Sequence, residues 1–379
     1  MVWRSHFLQV MGREVFALFL FACGSSTPAT STFDAGDEPP PKDFSPGPDD
    51  ALDASAPLGV ACTPGTVRFI ATSKHVLDGP RVDDGFVYWS ETEAAADADV
   101  TQGYWWGSYS NLFALHRADK VGGDAARLFG TSSKVTNVDA LPFFVVDATS
   151  AYWIENKGGG FGDIVRGAKD GSSQQVLVSG IPGPRALEIA GDTLFFESGS
   201  SLDSIRIDGT NERVVREDWS ASEYVVGATH VYATDRGRVF RVTRTGEILE
   251  PLVSATTGVA YEGLSVGDDG YVYAMQLIEQ VDWVRTANVL RIPTNGKTPS
   301  VVVADVQGNF PATEHLFTAA DGACVLHTTL EGISRTCSGA TTNIGPGAAL
   351  EAPVVDSTSI YWRAHTDLAT TVIYAACKL

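Results

Sequence analysis

The chain has 379 residues, and 46 acidic against 27 basic residues give it a formal net charge of −19. Such a surface repels nucleic-acid phosphates, which excludes a general DNA- or RNA-binding protein. Apolar residues make up 44% of the chain, so it is not wholly disordered, and its 38 glycines argue against an all-helical fold.

Residues 1–22 have the pattern of an export signal. Arg4 and Arg13 precede an apolar run from Val15 to Ala22. Eight residues are too few to cross a hydrocarbon core of about 30 Å as a helix, whereas a charged segment before a short apolar run is typical of a signal peptide. Both Met1 and Met11 are compatible with the start of that segment.

The apolar run ends in Leu20-Phe21-Ala22-Cys23-Gly24, which resembles the lipobox of bacterial lipoproteins. The resemblance implies that the mature chain begins at Cys23 and carries lipid there. Gly24, in place of Asp, then implies anchoring to the outer membrane, on its periplasmic side or at the cell surface, with the lipid as the only membrane contact. The alternative is a secretory signal followed by a chance cysteine.

Residues 23–60 are predicted to form a disordered tether behind this cysteine. The segment holds seven of the 18 prolines and seven acidic residues against one basic residue, Lys42. It has no apolar periodicity, and both proline and like charge extend a chain. A globular domain is expected from residue 61 to residue 379.

Four cysteines remain after Cys23, namely Cys62, Cys324, Cys337 and Cys377. An even set in an exported protein indicates disulfides. If a hairpin turn centres on Leu330-Glu331, Cys324 and Cys337 face each other across two strands, and Cys62 is left for Cys377. A turn one residue later would offset the first pair, so this connectivity stays open.

The body of the chain is a repeat. An apolar strand, a turn rich in Gly, Asp, Thr and Ser, and a strand with an aromatic pair recur seven times, about 40 residues apart. The first residues of the aligned pairs are Tyr88, Tyr152, Phe195, Tyr232, Tyr273, Val325 and Tyr361. Two further short strands follow several copies. This period predicts an all-β fold, a β-propeller of four-stranded blades, with seven blades favoured over six or eight.

The last copy ends after three strands, whereas residues 65–72 have no copy of their own. We therefore expect the N-terminal strand to complete the last blade and close the ring, which removes exposed sheet edges. One helical turn is expected, from Glu91 to Val100.

The motif resembles the YWTD-class propellers of lipoprotein-receptor ectodomains and related bacterial propeller lipoproteins. The segments Tyr88–Glu91, Tyr152–Glu155 and Tyr232–Asp235 carry the likeness, together with the turn from Arg166 to Gly171. Those relatives are mostly protein-binding modules, typically with six blades. The resemblance therefore implies the fold strongly and a binding role weakly.

Known catalytic and metal-binding motifs are missing from the sequence, and no catalytic residue or cofactor is predicted. Glu91, Glu155 and Asp235 each stand three residues after an aligned aromatic. This equivalence places three carboxylates on one face, where they could bind Ca²⁺ or act as acid and base. The favoured interpretation is that each carboxylate forms hydrogen bonds within its own blade.

Two long connections are the best candidates for ligand contact. Residues 91–110 carry the aromatic side chains of Tyr104, Trp105, Trp106 and Tyr109, and residues 276–288 carry Trp283. Both connections join the second and third strands of their blades, so they rise from one face. Exposed aromatics make good contact surfaces for proteins and glycans, although these residues could instead pack within the insertion or plug the ring.

The sequence thus favours an exported, lipid-anchored propeller that binds an envelope protein or glycan. The alternatives are a propeller-type hydrolase or lyase that uses carboxylates at the channel mouth, and a structural scaffold of the envelope. Ligand identity and oligomeric state stay open.

Substitution of Cys23 tests the anchor. The variant Cys23→Ser has no thiol to acylate, so it is expected to lose incorporation of a labelled fatty acid and to move from the membrane to the soluble fraction of a diderm host. Ser25→Ala is the control and should keep both. Membrane retention of unlabelled Cys23→Ser would contradict the lipobox interpretation.

Overall fold

Antiparallel strand pairing accounts for the whole described fold. The computed structural model describes residues 63–73, 76–94, 111–130, 144–235, 237–247, 249–254, 258–281, 284–309, 316–346, 352–365 and 371–378. All of them lie in the second of the two units into which the chain divides, Asp53–Leu379. They form 28 strands in seven four-stranded sheets. This described part has no helix that could cross a membrane.

Each sheet is one blade, and its strands are numbered from the centre of the ring outward as first to fourth. The strands are β1 Val67–Ser73, β2 Val76–Val82, β3 Phe86–Ala94, β4 Asn111–Asp119, β5 Ala126–Gly130, β6 Phe144–Val146, β7 Ser150–Gly158, β8 Phe161–Ala168, β9 Gln174–Pro182, β10 Arg185–Ala190, β11 Thr193–Ser198, β12 Ser201–Arg206, β13 Arg213–Arg216, β14 Glu223–Val226, β15 His230–Thr234, β16 Val239–Thr243, β17 Leu249–Val253, β18 Ala260–Val266, β19 Tyr271–Val281, β20 Val284–Pro293, β21 Ser300–Asn309, β22 Thr318–Asp321, β23 Cys324–Thr328, β24 Gly332–Cys337, β25 Ala340–Pro346, β26 Val354–Val355, β27 Ser359–His365 and β28 Thr371–Cys377. Blades 1 to 6 take β2–β5, β6–β9, β10–β13, β14–β17, β18–β21 and β22–β25, and blade 7 has the order β26-β27-β28-β1.

The ring closes through blade 7, as the sequence predicts. The N-terminal strand β1 pairs antiparallel with β28, with Val67 opposite Ala376. The innermost strands contact one another in sequence, and β26 of blade 7 contacts β2 of blade 1. The chain therefore forms a seven-bladed β-propeller whose last blade holds both the first and the last strand of the described fold.

Seven apolar clusters fill the spaces between neighbouring blades. The residue pair that the repeat places on each second strand serves two of these clusters, because successive side chains of a strand point to opposite faces. In blade 1, Tyr88 packs toward blade 2 and Trp89 packs toward blade 7. In blade 2, Tyr152 packs toward blade 3 and Trp153 toward blade 1. All four side chains are at most 1% exposed.

Blade 6 departs from the sequence alignment by one residue. Val325 faces blade 5, and Leu326 packs toward blade 7, as the first aromatic does in the other blades. Leu326 also lies opposite Arg335, just as Tyr88 lies opposite Arg117. Alignment on Val325 is therefore wrong, and Leu326 is the structural equivalent of the tyrosine. Because this copy has no aromatic pair, the sequence offered no aromatic residue on which its strand register could be aligned.

The described ends of both long connections are β-structure where the sequence suggested loops, and residues 95–110, 282 and 283 lie outside the described residues. Strand β3 extends to Ala94 and pairs with β4 from Asn111, so the expected helical turn is wrong for Glu91 to Ala94. In blade 5, β19 and β20 form a hairpin in which Val281 lies opposite Val284. Cross-strand pairing of the apolar residues at alternate positions favours strand over loop here.

One predicted disulfide is present. Cys324 lies opposite Cys337 in adjacent strands, with the turn centred as expected, and the two sulfurs are bonded. Cys377 is also disulfide-bonded. Its predicted partner, Cys62, lies outside the described residues, so that pairing stays a prediction.

A turn motif recurs between the first and second strands. In blade 1, Oδ1 of Asp83 accepts hydrogen bonds from the backbone N–H groups of Gly85 and Phe86, and Oδ2 accepts one from the Tyr88 hydroxyl at 2.7 Å. Asp147 with Tyr152, Asp269 with Tyr273 and Asp356 with Tyr361 repeat the carboxylate–hydroxyl contact. The buried tyrosine thus has a partner for its polar end.

Lysines join these turns across three successive blade junctions. Lys169 of blade 2 donates to Asp83 of blade 1 at 2.5 Å, and Lys120 of blade 1 donates to Asp356 of blade 7 at 2.5 Å. Lys378 of blade 7 donates to a carboxylate of blade 6. All three lysines directly follow the third strand of their blade. We call these contacts the Lys–Asp clamps.

Two of the clamps lower the pKa of their carboxylates. Burial alone would raise the pKa of Asp83, but hydrogen bonds from Lys169, Tyr88 and two backbone amides outweigh it and lower the pKa to about 2. For Asp356, burial is likewise outweighed by Lys120 and backbone amides, and its pKa is also about 2. Since both folded values lie below 3.8, this stabilisation is complete above pH 3.8 and is lost as pH falls toward 2.

Substitution of a clamp lysine is expected to destabilise the ring in a pH-dependent manner. Lys169→Met should lower the free energy of unfolding at pH 7 by about 1–2 kcal/mol, because Asp83 loses a charged hydrogen-bond donor. The deficit should shrink toward pH 2, where the carboxylate is protonated. Urea denaturation at several pH values measures both effects.

Arg206→Met is the matched control, because the Arg206–Asp192 pair lies within one blade with both side chains about half exposed. Its effect should stay below about 0.5 kcal/mol. Equal effects of the two substitutions at pH 7 would show that the clamp does not support the junction.

Candidate functional site

The two ends of the ring differ in their turn chemistry. One end carries the turns between second and third strands together with the connections from one blade to the next, and we call it the 2–3 face. The opposite face carries the 1–2 and 3–4 turns. Those turns are polar at positions such as Asp84, Thr149 and Asp170, and they hold the clamps.

Apolar side chains are exposed on the 2–3 face. Phe161 beside the blade 2 turn is 51% exposed, Ile278 on the blade 5 hairpin is 50% exposed, and Leu330 in the blade 6 turn is 39% exposed. Among the described residues, the opposite face exposes one large apolar side chain, Val121, and the others lie on outer strands. The 2–3 face therefore presents apolar contact points that the polar opposite face mostly lacks.

The aromatic residues singled out in the sequence lie outside the described residues. These are Tyr104, Trp105, Trp106, Tyr109 and Trp283. The strands that flank them are described, however, and both connections do join second to third strands. The chain therefore leaves and re-enters the fold on the 2–3 face at both places.

The three repeat-equivalent carboxylates each have a partner close by. Glu91 accepts a hydrogen bond from Trp89 Nε1 at 2.6 Å. Glu155 lies 2.9 Å from Lys157 Nζ, and Asp235 accepts a hydrogen bond from Arg238 Nε at 2.6 Å.

The sequence placed these carboxylates on one face, and their strand ends do lie on the 2–3 face. Their contacts support the favoured interpretation of local hydrogen bonding. No group of three or more His, Cys, Asp or Glu side chains in the described part is arranged to hold a metal ion. The Ca²⁺ hypothesis therefore stays a prediction from the sequence pattern.

Two carboxylates of the innermost strands fix neighbouring blades to each other. Glu223 accepts hydrogen bonds from the backbone N–H groups of Gly263 and Leu264 in blade 5, both at 2.8 Å. Glu262 accepts one from Leu316 at the start of blade 6 at 2.8 Å. Gly263 has φ +63°, and a Cβ there would lie 2.1 Å from the Leu316 carbonyl oxygen, so this approach requires glycine. These carboxylates thus have a structural role.

A different carboxylate, Glu197 of blade 3, has perturbed acidity. It ends strand β11 on the 2–3 face, opposite Arg185 at the start of the innermost strand. Trp219 Nε1 donates a hydrogen bond to it at 3.0 Å. Burial raises the pKa of Glu197, and the hydrogen bond from Trp219 and the charge of Arg185 offset this only in part. A partly buried carboxyl group with a raised pKa is a candidate for proton exchange.

Sequence reasoning missed Glu197 because it stands two residues after the aligned Phe195, whereas the acids of other blades stand three residues after. Trp219 lies on the connection to the next blade, 22 residues away in sequence. The available signal was the sequence Phe-Phe-Glu, a charged residue directly after a buried aromatic pair.

Solved structures share the fold with this chain. It is similar to oligogalacturonate lyase from Vibrio parahaemolyticus with a TM-score of 0.51 at 8% identity, over 83% of this chain and 98% of that one. It also matches a nidogen/laminin complex (TM-score 0.42, 12% identity, 61% and 89%) and the N-terminal domain of Nup159 (0.49, 8%, 83% and 95%). No protein-family model and no curated protein matches it. The class of the protein is thus a seven-bladed β-propeller.

Glu197 is expected to reduce stability at neutral pH. Because its folded pKa is raised, the fold is favoured while the group is protonated and loses stability as the pH rises through the unfolded and then the folded value. Glu197→Gln removes the charge, retains an acceptor for Trp219, and should raise the free energy of unfolding at pH 7 by about 0.5–1 kcal/mol.

Urea denaturation at pH 7 and pH 4 measures this gain, which should shrink at the lower pH. Glu212→Gln, at an exposed position of the same blade, is the control and should change little. A Glu197→Gln variant that is less stable than the wild type at pH 7 would contradict the assignment.

Proposed function

We propose that this chain is a lipid-anchored protein of the bacterial cell envelope whose 2–3 face binds a protein partner. The observation that carries the proposal is the exposure of Phe161, Ile278 and Leu330 on that face. Protein interfaces are built around apolar and aromatic anchors with a polar rim. The turns of the opposite face are polar and bind neighbouring blades instead.

Features of the sequence support both parts of this proposal, the binding face and the lipid anchor. The aromatic insertion at residues 91–110 connects two strands whose ends lie on the 2–3 face, so we expect its tyrosines and tryptophans to add to the same surface. The lipobox resemblance at Cys23 and the acidic, proline-rich segment behind it support a tether that holds the propeller away from a membrane. The YWTD-like motifs favour a binding module over a scaffold.

An enzyme is the second candidate, and Glu197 favours it. A carboxyl group whose pKa is raised by burial, opposite Arg185 of the innermost strand, could serve as a general acid in a hydrolase or lyase. Glu197 stands in a single blade, whereas the exposed apolar contact points occur in three blades. Binding is therefore the function that the described geometry supports better.

Site-specific photocrosslinking in cells tests the protein-binding proposal. A photoreactive amino acid placed at Phe161 or Ile278 of the full chain should form discrete adducts with another protein. The same amino acid at Val214 or Val301, which are equally exposed on outer strands, is the matched control. We expect at least tenfold more adduct from the 2–3 face, and the substitutions Trp105→Ala and Trp106→Ala should reduce it.

Adducts of equal yield from both pairs of positions, or the absence of a protein adduct from Phe161 and Ile278, would contradict a protein-binding 2–3 face. Adducts with glycan alone would instead favour a glycan ligand. Adduct formation unchanged by the tryptophan substitutions would remove the insertion from the binding surface.

A further inference from the structure

A polar cleft of about 410 Å³ opens between blades 5 and 6 toward the 2–3 face. Strand β21 of blade 5 forms one wall, and strands β23–β25 with the blade 6 turn form the other. The backbone N–H of Leu330 donates to the Gln307 carbonyl at 2.9 Å and joins the two walls. The volume lies in the range of about 300–1,000 Å³ that is common for small-molecule sites.

The cleft lies where a histidine replaces the apolar residue that the other blades have at the same position of the repeat. His327 takes the position that follows the first aromatic of the pair, once blade 6 is aligned on Leu326. The other six blades place Trp89, Trp153, Phe196, Ala233, Ala274 and Trp362 at that position, all buried and apolar. His327 is also buried, at 2% exposed, and it lines the cleft. A polar ring therefore stands where the fold elsewhere uses an apolar residue between blades.

One of the two ring nitrogens of His327 has a side-chain hydrogen-bond partner. Its Nε2 shares a hydrogen bond with Thr336 Oγ1 at 3.2 Å, and Thr336 Oγ1 in turn lies 2.8 Å from Thr341 Oγ1. Its Nδ1 is buried without a hydrogen-bond partner in the described part of the chain. Burial lowers the pKa of His327 to about 4, which the Thr328 backbone offsets only in part, so the ring is neutral at physiological pH.

The remaining lining indicates the chemistry of the ligand. Asp305 and Glu331 contribute carboxylates, Gln307 and Asn343 contribute amides, and no lysine or arginine lines the cleft. Two uncompensated carboxylates disfavour an anion, and the described residues offer no metal-binding group there. Carboxylate, amide and neutral imidazole groups together accept and donate hydrogen bonds at close spacing, as a ligand with several hydroxyl groups requires.

We propose that the cleft between blades 5 and 6 binds a neutral sugar unit through His327 and the flanking amide and carboxylate side chains. The cleft shares Leu330 with the contact points of the 2–3 face, whereas Phe161 and Ile278 lie outside it. The ring of His327 keeps this wall of the cleft polar, and hydroxyl groups of the sugar bond the amide and carboxylate side chains beside it.

An array of neutral oligosaccharides, followed by titration calorimetry with the best sugar, tests the proposal on the full chain. His327→Phe restores the apolar residue that blade 3 has at this position, so it should keep the fold and weaken binding at least tenfold. Asn343→Ala, at an exposed position of β25, should weaken binding without changing stability. Gln175→Ala, an exposed amide on the outer strand of blade 2, is the control and should bind like the wild type.

Failure of the wild type to bind any neutral sugar of the array would overturn the proposal, and so would undiminished binding by Asn343→Ala and Glu331→Gln together. These two variants decide the question even if His327→Phe does not fold. Sugar binding that survives substitution of Phe161 and Ile278 by serine separates this site from the proposed protein-binding face.

Discussion

Every blade of this protein is apolar on both faces, and that constraint governs the rest of the structure. A four-stranded sheet with buried Tyr88 on one side and buried Trp89 on the other cannot cover both sides by itself. It needs a neighbour on each, and only a closed ring gives every blade two neighbours. The seven inter-blade clusters are thus the hydrophobic core, and no single blade would be stable alone.

Closure of the ring depends most on the junctions around blade 7. There the ring depends on pairing between β1 and β28, two strands from opposite ends of the domain, which has a high entropic cost of loop closure. The three Lys–Asp clamps lie at the successive junctions of blades 6, 7, 1 and 2, and Cys377 at the end of β28 is disulfide-bonded. Polar and covalent links are therefore concentrated where the chain ends meet.

Because the seven blades share one residue pattern, the positions that depart from it are easily recognised. Glu197 is a half-buried carboxylate at the end of a second strand, and His327 replaces an apolar residue between two blades. Neither improves packing, because each brings a polar group into a place where desolvation opposes its charge. Both lie toward the 2–3 face, as do the exposed apolar side chains. The Lys–Asp clamps thus lie at one end of the ring, and the exposed apolar side chains of the turns lie mostly at the other.

The sequence by itself predicted seven blades, their strand order and the closing strand, because these follow from local periodicity and turn spacing. The turn register that pairs Cys324 with Cys337 stayed open until the structure placed the two residues opposite each other. Only the tertiary structure decided the register of blade 6, the hairpin of blade 5, the partners of Lys169 and Lys120, and the surroundings of Glu197 and His327. These depend on contacts between residues of different blades. The alternation of residues along a strand predicts which side chains are buried, whereas the neighbouring blade determines which groups those side chains contact.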